Sequence, residues 1–246
     1  MSKRVLVTGS SRGIGRAIAL RLAKEGWRVA IHGTEVGADL EHTRDLLGEQ
    51  CAGAYAADMA HPSAAESIID RVLDSGPIHA LVNNAGVYHP IKFLEASDSE
   101  LETNLQRTLA INFESPFRLI HRIAKYFEAQ GGGKIVNVAS RVGFRGESGA
   151  SVYSASKAAL INVTRALAVE LAPKNIGLFG IAPGWVDTAM ARDGMDSRLP
   201  AILETIPLGR MATPEDCAAT CAFLLGDDAA YLSGVVIDIN GASYFH

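Results

Sequence analysis

No stretch of this chain is apolar for anywhere near the ~18 residues that a membrane-spanning helix requires. Blocks of like charge are missing too. Against 23 Lys and Arg stand 27 Asp and Glu, so the net charge is −4 and is spread along the sequence. That distribution offers no basic footprint for a nucleic acid or a membrane surface. The opening "MSKRVLVTGS" has only three consecutive apolar residues, too few for a secretory signal, and a cytoplasmic protein is expected. Cysteine is scarce. Cys217 and Cys221, at i and i+4, are expected to be small hydrophobes on one helical face rather than a disulfide or metal pair. The seven histidines lack zinc-ligand spacing, with His246 read as a plain terminal residue, so no metal is expected. Repeats, low-complexity tracts and an interdomain linker are also absent, and one domain over 1–246 is expected.

What the chain does have is 246 residues, 48% hydrophobic and 20% charged, ample for a buried core. Seven short apolar runs read as strands: "RVLVTG", "WRVAIHG", "CAGAYAAD", "IHALVNNAG", "KIVNVAS", "IGLFGIAPG" and "GVVIDING". Between them lie segments with helical spacing, such as "GRAIALRLAKEG" and "LINVTRALAVELAP", the second stopped by Pro173. Strands this apolar are buried on both faces. Their alternation with helices points to an α/β fold, a Rossmann-type doubly wound parallel sheet with helices on both faces. The least regular segment, 185–210, is expected to be a lid.

The first strand runs into "TGSSRGIGRAIAL", placing Gly9, Gly13 and Gly15 where strand turns into helix, with Ser11 and Ile14 among them. Missing side chains there let backbone N–H groups approach a pyrophosphate, and the helix N-terminus favours its charge. The spacing is G-x-x-x-G-x-G, which is not the G-x-G-x-x-G fingerprint. An acidic residue closing the second strand would select NAD. Here the strand closes with Gly33 and Thr34, followed by Glu35 at about the right distance, while Arg12 sits within the glycine turn. A guanidinium there suits a 2′-phosphate, so Arg12 and Thr34 favour NADP(H), with Glu35 leaving NAD(H) open.

In "SVYSASKAAL", Tyr153 and Lys157 lie one helical turn apart. A free phenol has a pKa of about 10. A neighbouring ammonium is expected to stabilise the phenolate and lower that value. Taken singly, each residue is also what an ordinary helix start would contain.

The motifs "TGSSRGIG", "NNAG" at Asn83–Gly86, Asn112, Ser140, "YSASK" at Tyr153–Lys157 and "APGWVDT" at Ala182–Thr188 occur in this order across nearly the whole chain. Together they resemble the short-chain dehydrogenase/reductase family. "IPLGRMATPED" and "FLLGDDAAYLSG" are most similar to its 3-oxoacyl-carrier-protein reductase branch. The resemblance implies a dinucleotide-binding part mainly in 1–140 and a catalytic and substrate part mainly in 140–246. It implies Tyr153 as general acid in ketone reduction and Lys157 as a holder of the nicotinamide ribose. By the same likeness Ser140 donates to the substrate oxygen, and Asn112 anchors a water that links Lys157 to solvent. It also assigns Asp58 and Met59 to the adenine, and Asn84, Ala85 and Gly86 to the adenosine ribose. Pro183, Gly184, Val186 and Thr188 fall to the nicotinamide carboxamide.

Candidate substrate contacts are Tyr88, His89, Val142, Phe144, Arg145, Trp185 and Met190. The loop "SRVGFRGESG" reads as charged and solvent-facing, although one of its arginines could meet an anionic or polar substrate. The resemblance implies a small-molecule carbonyl or alcohol substrate and a homotetramer. Docking of an acyl carrier protein is in doubt, because "EAQGGGK" puts glycines where that branch often has a basic residue. "DINGASYFH", with Asn240 and Ser243, departs from the branch's usual Asp-Gly-Gly. Another alcohol, sugar or steroid dehydrogenase remains open, as does a non-catalytic NADP(H)-binding sensor.

Overall fold

The computed structural model describes residues 2–192 and 199–246. Seven strands, β1 (Arg4–Val7), β2 (Arg28–Gly33), β3 (Cys51–Ala56), β4 (Ala80–Asn83), β5 (Gly133–Val138), β6 (Ile176–Pro183) and β7 (Val236–Ile239), form one sheet. Their order is β3-β2-β1-β4-β5-β6-β7, and every pairing is parallel. The strands coincide with the seven apolar runs. The small and polar residues that close each run, such as Thr8–Gly9, Asn84–Gly86 and Ser140, lie past the strand ends.

Side chains alternate across the sheet with a period of two. Val5, Val7, Val136, Phe179 and Ile181 face one layer, built by α1 (Gly13–Lys24), α2 (Ala38–Leu47) and α9 (Pro214–Leu225). Leu6, Leu81, Ile135 and Leu178 face the other, where α3 (Ala64–Asp74), α5 (Ser115–Gln130) and α6 (Ser151–Leu171) pack. Burying one such aliphatic side chain is worth ~1.5–3 kcal/mol, and both faces are filled with them. Cys217 and Cys221 are fully buried in the first layer, on the face of α9 that their spacing implied. Burial pushes the Cys217 thiol up to about 12.

A polar path crosses this apolar sheet. Asn83 donates to Asn137 on the adjacent strand (2.8 Å), and Asn137 donates to the Thr164 hydroxyl on α6 (2.8 Å). It ties the centre of the sheet to the helix that carries Tyr153 and Lys157. α4 (Asp98–Leu109) starts on a capping box between Ser97 and Glu100 and runs into α5 through a π-helical turn, Ala110–Glu114, that contains Asn112. α6 ends at Leu171, and Pro173 lies in the 3-10 turn that follows. Of the expected lid, α7 (Ala189–Arg192) and α8 (Leu199–Glu204) are described, while 193–198 lie outside the described residues. Among the described residues, no helix is long and apolar enough to cross a membrane.

Candidate active site

The strand order reverses direction at β1 and β4, so the chain leaves the sheet to opposite sides there and opens a crevice at the strand ends. The turn between β1 and α1 is held against that crevice by neighbouring strands. The Thr8 hydroxyl accepts from the backbone N–H groups of Asn84 (3.0 Å) and Ala85 (3.1 Å), and Asn84 Nδ2 donates to the carbonyls of Thr8 and Gly9, both at 2.9 Å. Two glycines are required by space. A β-carbon on Gly9, whose φ is +61°, would lie 2.7 Å from Ala85 Cα, and one on Gly15 would lie 2.2 Å from the Gly9 carbonyl oxygen.

His32, at the end of β2, completes this support. Its Nδ1 accepts from the Gly9 N–H (3.0 Å), so the ring proton sits on Nε2, 3.0 Å from the Ala57 carbonyl. Burial lowers its pKa from 6.5 to about 4, with Arg71 pushing the same way and the Ala57 bond opposing.

A cavity of about 470 Å³ extends along the strand ends from this turn. The size is that of a small-molecule site. Gly9, Ser11, Arg12, Gly13, Ile14, Gly15, Thr34, Asp58, Met59, Asn84, Ala85, Gly86, Pro183, Gly184, Val186 and Thr188 all border it. Arg12 is exposed at its rim. Glu35, the carboxylate that could have signalled NAD, does not border the cavity. Its Oε1 lies 3.3 Å from where a β-carbon on Gly37 would stand, so it bends back over its own loop. A glycine turn bordering the cavity, with the N-terminus of α1 behind it, fits a dinucleotide.

At the other end, Ser140 after β5 meets Tyr153 and Lys157 on α6 at the cavity wall. Lys157 Nζ is 5.7 Å from the centre of the Tyr153 ring and donates to the Val138 carbonyl at 2.9 Å. Burial pushes the Tyr153 phenol up to about 12, against a hydrogen bond from Ser140, while Tyr88 and Glu147 raise it further. Burial also pushes the Lys157 ammonium down to about 8. The expected lowering of the tyrosine by its lysine is therefore not what this geometry gives. Dehydration penalises both charged forms, and it is the largest influence on each.

Asn112 is fully buried behind the wall and does not border the cavity. Its Oδ1 accepts from the Val87 N–H (2.9 Å), and its Nδ2 donates to the Val87 carbonyl (2.9 Å) and to the Ser156 hydroxyl (3.1 Å). The side chain is occupied with protein partners, so its visible work is to hold Gly86–Val87 beside Lys157.

A family model described as enoyl-(acyl carrier protein) reductase matches residues 9–242. The 3-oxoacyl-[acyl-carrier-protein] reductase FabG of Escherichia coli K12 is 36% identical over 98% of this chain and 97% of its own. The chain belongs to the short-chain dehydrogenase/reductase family. Two solved members have the same architecture. A 3-ketoacyl-(acyl-carrier-protein) reductase from Brucella melitensis, complexed with NADH, has a TM-score of 0.90 at 29% identity, covering 99% of this chain and 98% of that one. A candidate NAD(P)-dependent gluconate 5-dehydrogenase from Beutenbergia cavernae, with bound NADP, has a TM-score of 0.89 at 33% identity, covering 98% and 96%. As a family member, this protein is an NAD(P)-dependent oxidoreductase acting on CH–OH and C=O groups.

The expected substrate contacts of this short-chain dehydrogenase/reductase do not all border the cavity. Tyr88, Val142, Trp185 and Met190 border the cavity, with the Tyr88 ring edge-on to Tyr153 at 5.1 Å. His89, Phe144 and Arg145 do not. His89 is exposed, and its carbonyl accepts from Asn104. Phe144 stacks on His246 at 3.7 Å, and Arg145 lies over Tyr244. Nor is His246 a plain terminal residue, since it also pairs with Asp238 at 3.1 Å. The tail folds back over the loop after Ser140 and turns those side chains away from the cavity. Asn240 and Ser243 take part in that fold, Asn240 donating to the Tyr244 carbonyl and Ser243 accepting from Arg141.

Arg141 and Glu147 border the cavity, although the sequence does not single them out as individual contacts. Their loop reads as solvent-facing because it is charged, yet Arg141 is only 5% exposed. The one usable signal is its position, directly after Ser140. Among the described residues, no cluster of three or more His, Cys, Asp or Glu could hold a metal.

Proposed function

We propose that this protein reduces a ketone to a secondary alcohol with NADPH, Tyr153 serving as general acid. The observation that carries this reading is the meeting of Ser140, Tyr153 and Lys157 on one wall of the cavity that begins at the glycine turn. When bound, the dinucleotide supplies a hydride. Gly9–Gly15 would hold its pyrophosphate against the N-terminus of α1, and Arg12 with Thr34 would take the 2′-phosphate. Asp58 and Met59 would lie at the adenine, Asn84–Gly86 at the adenosine ribose, and Pro183, Gly184, Val186 and Thr188 at the carboxamide.

A carbonyl that gains a hydride at carbon gains negative charge on oxygen. Tyr153 is protonated at neutral pH, its phenol held near 12, so it has a proton to give to that oxygen. Ser140 donates a second hydrogen bond to the same atom as charge develops. Lys157, held in place by the Val138 carbonyl, faces the phenolate left behind and positions the nicotinamide ribose. Asn112 is a positioning residue in this scheme. Its amide fixes Val87 and Ser156 around Lys157.

For the substrate, the carrier-protein reductases among the relatives support a 3-oxoacyl thioester. The test is Tyr153→Phe, assayed on a ketone panel that includes an acetoacetyl thioester. Carbonyl reduction should fall by at least about a thousandfold, with NADPH still bound, as general acid and oxyanion contributions are lost together. Near-normal turnover in that variant refutes the mechanism. NADPH binding by the wild type without turnover of any ketone would support a sensor instead.

A further inference from the structure

We propose that Arg141 is a specificity-determining residue that takes a carboxylate on the substrate, so that the preferred ketone is a small oxo acid rather than a neutral thioester. This rests on the ketone-reductase reading and replaces the thioester that the relatives support with another substrate class. Arg141 directly follows Ser140, the residue assigned to the carbonyl oxygen, and both border the same cavity. The Arg141 side chain is 6% exposed, and a charge so deeply withdrawn from water needs a close counter-charge.

The partner present is a weak one. Glu147 Oε2 accepts from Arg141 Nη2 at 3.4 Å, and the Ser243 hydroxyl accepts from Nη1 at 3.2 Å. Charge-assisted bonds of this kind shorten to about 2.7–2.9 Å when well made. A guanidinium has five N–H donors, and the two long contacts leave capacity for a forked acceptor. Trp185 lies against Arg141, 5.4 Å from ring centre to guanidinium carbon, and also borders the cavity. The guanidinium thereby has an apolar ring on one side. That geometry suits a planar anion.

Glu147 limits which anion fits. It borders the same cavity and remains paired to Arg141, so the pair is formally neutral before any ligand arrives. A monoanionic carboxylate can share the guanidinium fork with modest repulsion from Glu147. A phosphate dianion meets that repulsion twice over. Hydroxyl groups on the substrate could donate to Glu147, which the carboxylate-bearing ketones with additional hydroxyls would satisfy. A neutral acyl thioester satisfies neither group and leaves the arginine as poorly paired as it stands.

The experiment compares free acids with their methyl esters on the wild-type protein, using 2-, 4- and 5-oxo acids, with NADPH in excess. An acetoacetyl thioester of N-acetylcysteamine and dihydroxyacetone phosphate complete the panel. At least one free acid should exceed its ester in kcat/KM by roughly ten- to a hundredfold, the scale of one charge-assisted bond. Arg141→Met should collapse that acid-to-ester ratio towards one, and Arg141→Lys should restore it in part. Ester or thioester preferred over every acid, or a ratio unmoved in Arg141→Met, overturns the assignment. Dihydroxyacetone phosphate as the best substrate overturns the choice of carboxylate. The wild-type comparison needs no variant to fold. If no ketone at all is reduced, the reductase reading itself fails. If esters and thioesters are reduced without any preference for acids, only the Arg141 assignment does.

Discussion

Acid should weaken this protein through a single buried imidazole that holds the glycine turn. His32 accepts the Gly9 N–H at Nδ1 and contacts the Ala57 carbonyl through Nε2, and it can do both only when neutral. Protonation would place a second N–H against the Gly9 N–H, donor facing donor. With a pKa lowered from 6.5 to about 4, the unfolded chain binds this proton more tightly than the folded one. Stability therefore rises with pH across that window. The contribution is fully present above about 6.5 and is lost progressively as pH falls through about 4. At pH 5 the loss from this residue comes to about 2 kcal/mol, and it approaches about 3 kcal/mol once both states are protonated. Other groups also titrate on acidification, so the informative quantity is a difference between two proteins. In His32→Asn the amide oxygen can still accept from Gly9, but nothing titrates. That variant should be about 1 kcal/mol less stable than wild type at pH 7.5, having lost the Ala57 bond. Urea unfolding followed by circular dichroism at pH 7.5 and 5.0 gives the comparison. The wild type should lose about 2 kcal/mol more than the variant on acidification, so the two converge or cross. Equal losses, within about 0.5 kcal/mol, would refute the role given to His32.

Two further substitutions address the cofactor end. Gly15→Ala should gain about 1 kcal/mol of helix propensity, but its β-carbon would stand 2.2 Å from the Gly9 carbonyl oxygen and 2.4 Å from Asn84 Nδ2. Displacing that turn costs about 1–3 kcal/mol, so we expect a lower Tm and NADPH affinity reduced at least tenfold by fluorescence titration. An unchanged Tm with normal affinity would show that the turn yields. If Arg12 takes the 2′-phosphate as proposed, Arg12→Ser should weaken NADPH by about ten- to a hundredfold while leaving NADH within about twofold. Equal losses for both cofactors would show that Arg12 does not read that phosphate.

Periodicity carries the architecture because the two faces of a parallel sheet impose it on every strand. Runs such as "KIVNVAS" alternate Ile135 towards one layer with Val136 and Val138 towards the other, and no distant contact is needed to see it. The glycine turn is legible for a similar reason. Gly9 and Gly15 are demanded by backbone approaching backbone, and the signal stays local in the sequence. The four-residue spacing of Tyr153 and Lys157 likewise suffices to put them on one turn of α6. What local pattern leaves out is electrostatic environment. Adjacency implies a lowered phenol, whereas dehydration at the cavity wall pushes it up instead.

Residues far apart in the chain are brought together by the tertiary structure alone. His32 has no motif around it, and it supports Gly9 because β2 lies beside β1. Asn83 and Asn137 meet because they are register partners on β4 and β5, an alignment that neither segment encodes by itself. The substrate wall is the clearest case. In sequence, Phe144 and Arg145 are as well placed as Arg141, and charge suggests that the whole loop faces water. The returning tail draws Phe144 onto His246 and Arg145 onto Tyr244, leaving Arg141 buried at the cavity. Local pattern thus determined the sheet, the glycine turn and the Tyr153–Lys157 pair. Which side chains of that loop border the cavity was decided by contacts spanning about a hundred residues, because the direction of a loop is set by what packs against it.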